Sequence, residues 1–187
     1  MPPSEGGTSE VRSIVERGQA GDRVALGLLF DRYHARVFAY AMATLRHRQD
    51  AEDATSETFL IAWRQLPTFE WTGAPFSAWL IGITRRHILG TKRRARNRDV
   101  ALDTSHHEHE SDEHVSAAGD RIDIAHALNE LSADQQEVLL LRFYGGLSAE
   151  SVAQVTGRTA GAVRQLQFRA IERLGRSGKL ASHGARP

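Results

Sequence analysis

The chain contains no cysteine. Disulfides, thiolate zinc sites and cysteine nucleophiles are therefore excluded, and the cytoplasm is the expected compartment. Long apolar runs are also missing. The longest, around residues 79–83, is far too short to span a bilayer, and the polar first ten residues do not read as a secretory signal. A large charge imbalance is absent as well, with a formal net charge of only +1, although basic and acidic residues fall in separate blocks. What remains, 41% hydrophobic and 25% charged residues in a chain of 187, is ordinary globular composition and allows one or two small domains.

The most informative stretch is 137–174, which reads as a helix, a Gly145-Gly146 break, a short helix, a turn at Gly157, and an amphipathic helix opening at Thr159. Ala153, four residues before Gly157, is the small side chain that two closely crossing helices require. Gly157 can take a left-handed conformation that costs an ordinary residue roughly 1 kcal/mol or more. Ser148 and Thr159 occupy N-cap positions, and Ser132 with Gln135 matches a capping box. Val152, Val155, Val163, Leu166, Ala170 and Leu174 recur at helical period as an inward stripe. Together these features outline a helix-turn-helix, which predicts DNA binding. On the second helix, Arg164 and Gln165 are the candidates for base edges, since arginine pairs with guanine and glutamine with adenine, while Arg158 and Arg169 suit phosphate.

Two further blocks precede this motif. Residues 85–98 crowd Arg85, Arg86, Lys92, Arg93, Arg94, Arg96 and Arg98 into one helix end, which is either a solvated basic face or a phosphate-binding one. Pro75 is placed to open that helix, and Phe76 and Trp79 fall on its apolar stripe with Leu80 and Ile83. Trp71, in the loop before it, is the aromatic candidate for stacking on an unpaired base. The acidic block is a helix that Asp50 is expected to cap and Pro67 to end. Its acids complement the helix dipole, and Asp53 and Glu57, four apart, share a face that could also meet a basic partner helix while Leu60 and Trp63 pack inward. Residues 22–46 form an earlier, longer helix with Leu28, Leu29, Tyr33, Val37, Tyr40, Ala41 and Leu45 as its core stripe.

Leu29-Phe30-Asp31-Arg32-Tyr33, Asp50-Ala51-Glu52-Asp53 with Glu57-Thr58-Phe59 and Ala62-Trp63, and Phe76-Ser77-Ala78-Trp79-Leu80 resemble the second conserved region of bacterial sigma factors of the extracytoplasmic-function (ECF) group. The run from Leu131-Ser132 through Leu139-Leu140-Leu141-Arg142-Phe143-Tyr144-Gly145-Gly146-Leu147-Ser148 to Ile171-Glu172-Arg173-Leu174 resembles their fourth region. The resemblance implies a subunit that binds core RNA polymerase, directs it to promoter DNA and opens the duplex. It places Asp53 and Glu57 against the clamp helices and adds the polymerase flap as a further contact. The loop at 71–75 with the basic helix (Trp71, Arg85, Arg86, Lys92, Arg93, Arg94) would read and melt the minus-ten element. The helix from Thr159 would enter the major groove at the minus-thirty-five element. Many such proteins are held inactive by an anti-sigma factor. The chain departs from the family pattern at Arg86 and Gly90, where Asn and Asp are common, and at 162–170, where many members carry Lys-Ser-Arg-Leu-His.

The expected architecture is all-α, with two small helical domains joined by an acidic, His-rich linker. The boundaries are 1–21, a partly disordered extension; 22–98, the first domain; 99–120, a flexible linker; 121–176, the second domain; and 177–187, a disordered tail. The linker run from His106 to His114 lacks the spacing and apolar face of a metal site, so neither metal nor another cofactor is expected, and it reads as a solvated tether or an acidic mimic of nucleic acid. No enzymatic activity is expected. The rival readings are an operator-binding regulator independent of polymerase and a metal-dependent hydrolase using the histidines. The first leaves the front half of the chain without a role, and the second lacks a nucleophile and a rigid scaffold.

Overall fold

Every element that the computed structural model describes, over residues 5–102 and 129–176, is a helix or a connection between helices. The chain divides into two compact units, Met1–Ser111 and Asp112–Pro187. Most of the expected linker, the stretch 121–128 and the tail 177–187 lie outside the described residues.

The first unit comprises α1 (Glu5–Gln19), α2 (Arg23–Leu45), α3 (Arg48–Gln65), a 3-10 turn (Leu66–Thr68) and α4 (Phe76–Leu102). Small side chains on facing stripes, Ala25 and Ala41 of α2 and Ala51, Ala54 and Ala62 of α3, are almost completely buried and let the backbones approach closely. Larger residues fill the remaining space, with Leu29, Val37, Phe59, Phe76, Leu80 and Ile81 all at 3% exposure or less. Three buried hydroxyls remain satisfied in this apolar setting. Thr55, Thr58 and Thr84 each donate to the carbonyl four residues earlier, and Thr58 and Thr84 meet at 3.2 Å across α3 and α4.

The corners are set by local chemistry. Asp22 caps α2 by accepting from the Val24 and Ala25 amides, and Arg17 of α1 reaches the same carboxylate at 2.6 Å. The Arg17 hydrogen bond holds the Asp22 carboxyl below the ordinary aspartate value, and the Ala25 amide adds to the effect. Arg46 ends α2 in the left-handed region, at φ 59°, with its amide bonded to Met42.

Among the described residues, the second unit holds α5 (Ala133–Phe143), α6 (Ala149–Thr156) and α7 (Ala160–Arg176). Ser132 and Gln135 form the capping box reciprocally, and Ser148 caps α6 through the Ser151 amide. Val138, Leu141, Leu147, Val152, Val163 and Ala170 are sealed from solvent, and Leu174 packs against Leu131, Leu139 and Ala170.

Several expectations need correction. Residues 5–19 of the extension, expected to be partly disordered, are helical, with Val11, Ile14 and Val15 buried, because an apolar stripe at helical period overcomes the Gly6-Gly7 start. His47, not Asp50, caps α3, its ring nitrogen accepting from the Asp50 amide. Leu28 and Leu60 point outward, at 43% and 55% exposure, since the buried stripe of α2 runs through Ala25, Leu29, Tyr33, Val37 and Tyr40 and that of α3 through Ala51, Thr55, Thr58, Phe59 and Ala62. α4 continues to Leu102, so the first four residues of the expected linker are helical.

Two measurements check this description. A Cβ placed on Gly145 would sit 2.6 Å from the Leu141 carbonyl oxygen, so Gly145→Ala should lower stability by about 1–3 kcal/mol. An unchanged thermal midpoint would contradict that contact. Because folding lowers the Asp22 pKa, its charge stabilises the fold above the unfolded carboxyl value and that contribution is lost as pH falls through the lower folded value. Asn can still cap, so Asp22→Asn should melt earlier than the parent at neutral pH, and the gap should close in acid. A gap independent of pH would show that the charge is idle.

Candidate nucleic-acid and polymerase interfaces

In the second unit the turn between α6 and α7 is made by Gly157, at φ 72°, a conformation that favours glycine. Ala153 is buried at the crossing, and its carbonyl accepts from the Arg158 amide at 3.0 Å. Thr159 then caps the first turn of α7 by accepting from the Ala162 amide at 3.1 Å. Arg142 braces the motif from α5, bonding Gln167 of α7 at 2.9 Å and the Leu147 carbonyl before α6. With Val163 and Ala170 buried beneath it, α7 presents Arg164, Gln165, Phe168 and Arg169 outward. This is the geometry of a recognition helix: a rigid rod with long donors on its free face.

The cations on this face are not equally available. Arg158, a phosphate candidate, is paired with Asp134 at 2.7 Å and Glu137 at 3.7 Å, its side chain 29% exposed. The Asp134 hydrogen bond keeps the guanidinium firmly charged and directs it toward α5. Arg164 is paired with Glu150 in the first turn of α6 and must leave that carboxylate to reach a base. Glu150 is held below the ordinary glutamate value by its own backbone amide and by the Ser148 hydroxyl. Gln165 and Arg169 are exposed.

In the first unit, α4 carries the basic block along its second half. Arg86, Arg93 and Arg94 are exposed, Arg85 is half-buried, and Lys92 leans on the end of α2, its Nζ donating to the Thr44 carbonyl at 3.4 Å. Desolvation there pushes Lys92 below the ordinary lysine value, and neighbouring Arg46 adds to the shift. Arg86 and Arg93, seven residues apart, share one stripe of the helix, which suits a phosphate backbone.

Trp71 is half-buried rather than free. Its ring meets Phe69 edge-on at 5.1 Å, lies 6.5 Å from Phe76, and carries the Arg12 guanidinium 5.1 Å above its centroid. Phe69, Trp71, Phe76 and Trp79 form one aromatic cluster at the base of the loop. Local sequence does not announce this cationic cover from α1, because Arg12 lies 59 residues before the ring it covers.

On α3, Asp53 is exposed and Glu57 is half-buried, held by Arg64 at 3.2 Å. Glu57, Leu60, Trp63 and Arg64 line a shallow depression in which apolar side chains are flanked by charges of both signs. That mixture, together with exposed Asp53, is the surface a partner helix can use. No group of His, Asp or Glu among the described residues is arranged to hold a metal ion, and the His106–His114 run lies outside them.

These two assemblies correspond to two recognised protein regions. Residues 29–98 match Sigma-70 region 2, and residues 127–175 match Sigma-70 region 4. The chain is 34% identical over 180 residues to the ECF RNA polymerase sigma factor BldN of Streptomyces coelicolor, spanning 94% of this chain and 68% of that protein. It is 31% identical over 163 residues to the ECF RNA polymerase sigma factor SigL of Mycobacterium tuberculosis, spanning 86% and 92%. Among solved structures it resembles CnrH in complex with the cytosolic domain of CnrY, with a TM-score of 0.67 and 25% identity over 92% of this chain and 98% of that one. It also resembles the sigma factor RpoE in complex with the anti-sigma factor NepR from Bartonella quintana, with a TM-score of 0.66 and 26% identity over 84% and 97%. With both sigma regions in order on its two helical units, the chain belongs to the ECF RNA polymerase sigma factors.

Proposed function

We propose that this sigma factor engages core polymerase through the outer face of α3, with Asp53 and Glu57 flanking the Leu60 depression. The loop at 66–75 and the basic stripe of α4 then hold the opened minus-ten strand, and α7 enters the major groove upstream. The observation that carries the reading is the pairing of a braced recognition helix in one unit with a basic helix beside an aromatic loop in the other. In α7, Gln165 and Arg164 are assigned to base edges and Arg169 to phosphate, each good base pairing being worth about 1–3 kcal/mol of discrimination. Arg158 is assigned to internal bracing because Asp134 and Glu137 already hold it. The chain supplies positioning and binding only, nucleotide addition being the polymerase's reaction, and it works in the cytoplasm with that enzyme. An anti-sigma partner would cover the same outward faces. A polymerase-independent regulator would leave the α3 face and the α4 stripe without a purpose.

Forced expression of the chain, with mapping of new transcription start sites, should yield a shared promoter pattern. Fragments carrying it should be transcribed by core polymerase only when the purified chain is added. Transcription that ignores the chain, or operator binding that needs no polymerase, would contradict the proposal. On the same fragments, Arg169→Ala should lower the salt slope of binding by about one, while Arg158→Ala should leave the slope alone and lower the melting temperature. The opposite pattern would return Arg158 to the DNA side.

A further inference from the structure

We infer that α1, which lies before the residues matched to region 2, is a positioning element for the minus-ten loop, acting through Gln19 and Arg12. The inference rests on the proposed role of the loop and adds the residues that hold it.

Gln19, the last residue of α1, uses its side-chain amide to donate to two carbonyls at the start of the loop, Leu66 at 3.1 Å and Phe69 at 2.8 Å. Those carbonyls flank the 3-10 turn that aims the chain toward Trp71. One residue earlier, Gly18 lies so close that a Cβ there would be 2.9 Å from the Leu66 side chain, which shows how tightly this helix end seats against the turn. Two turns earlier still, Arg12 places its guanidinium 5.1 Å over the Trp71 ring. The helix itself is anchored. Val11, Ile14 and Val15 are buried, Arg17 binds Asp22 at the corner, and Glu10 pairs with Arg32 of α2 at 2.9 Å.

The physical consequence concerns the loop. A connection of this length has few hydrogen bonds of its own, and holding it in one shape before a nucleotide arrives reduces the entropy lost on binding. Gln19 fixes its backbone at the entry, and Arg12 fixes its largest ring by a cation–π contact. Arg12 also adds one positive charge beside the aromatic cluster, where a strand's phosphates would pass. Neither side chain needs to touch a base. Both act through the loop, so both are positioning residues.

The test uses full-length chain assembled with core polymerase. Two DNA probes come from a mapped promoter: a single-stranded non-template oligonucleotide spanning the minus-ten segment, and a duplex spanning only the minus-thirty-five segment. Gln19→Ala should weaken binding of the single strand by about tenfold, the size of one to two net hydrogen bonds, and Arg12→Ala by about three- to fivefold, the size of an exposed cation–π contact, both leaving duplex binding unchanged. Arg12→Lys should recover most of the loss, because a lysine retains the cation over the ring. Arg12 is exposed, so its truncation keeps the core intact and the test decisive even where Gln19→Ala also lowers stability. Equal binding of the single strand by parent and both alanine variants would overturn the inference, as would a loss shared equally by the two probes. A parent complex that does not bind the single strand at all would overturn the reading of the loop and the inference with it.

Discussion

Burial of Val163 and Ala170 on one side of α7 decides what the other side can offer. A helix has a single rotation about its axis, so once those two residues are sealed against α5 and α6, Arg164, Gln165 and Arg169 must face water. The same constraint acts in the first unit. Ala51, Thr55, Thr58 and Ala62 make the inner stripe of α3, and this turns Asp53 and Leu60 outward together. Those rotations, more than any single exposed charge, decide which side chains each helix presents, because exposed ion pairs contribute little and buried stripes contribute most of the stability.

Charge availability is the second level of selection. Of the basic residues near the recognition helix, Arg158 is committed to Asp134 and Glu137, Arg142 to Gln167 and the Leu147 carbonyl, and Arg164 to Glu150. Each commitment is a contact that must be kept or exchanged when DNA arrives. Internal partners thus give arginines that look alike in sequence different surroundings in the fold. In the first unit Lys92 is likewise engaged at the carbonyl end of α2, while Arg86, Arg93, Arg94, Arg96 and Arg98 are exposed along α4.

Much of this was legible before any coordinates. The helix-turn-helix could be read because its signals are local: Ser148 and Thr159 as caps, Ala153 at the crossing, Gly157 in the turn, and the reciprocal pair Ser132 and Gln135. What escaped was set by distant partners. Nothing near Arg158 in sequence announces Asp134, nothing near Trp71 announces Arg12, and the short apolar stripe of α1 is completed by packing on α2 and the 3-10 turn. Leu60 misled for a related reason. Leucine suggests core, but the helix rotation was fixed by Ala51, Thr55, Thr58, Phe59 and Ala62. His47 displaced Asp50 as the α3 cap because the helix begins earlier than the acidic run that suggested its start.

The central claim is that the faces left outward by core packing are the ones used in the transcription complex. Hydroxyl-radical labelling of the full chain, alone and then with core polymerase and a mapped promoter, tests it directly. Leu60 on α3 and Phe168 on α7, both more than half exposed in the free protein, should lose reactivity together in the complete complex, while Val24, exposed on α2, stays reactive. Undiminished labelling of Leu60 and Phe168 in a transcribing complex would contradict the account.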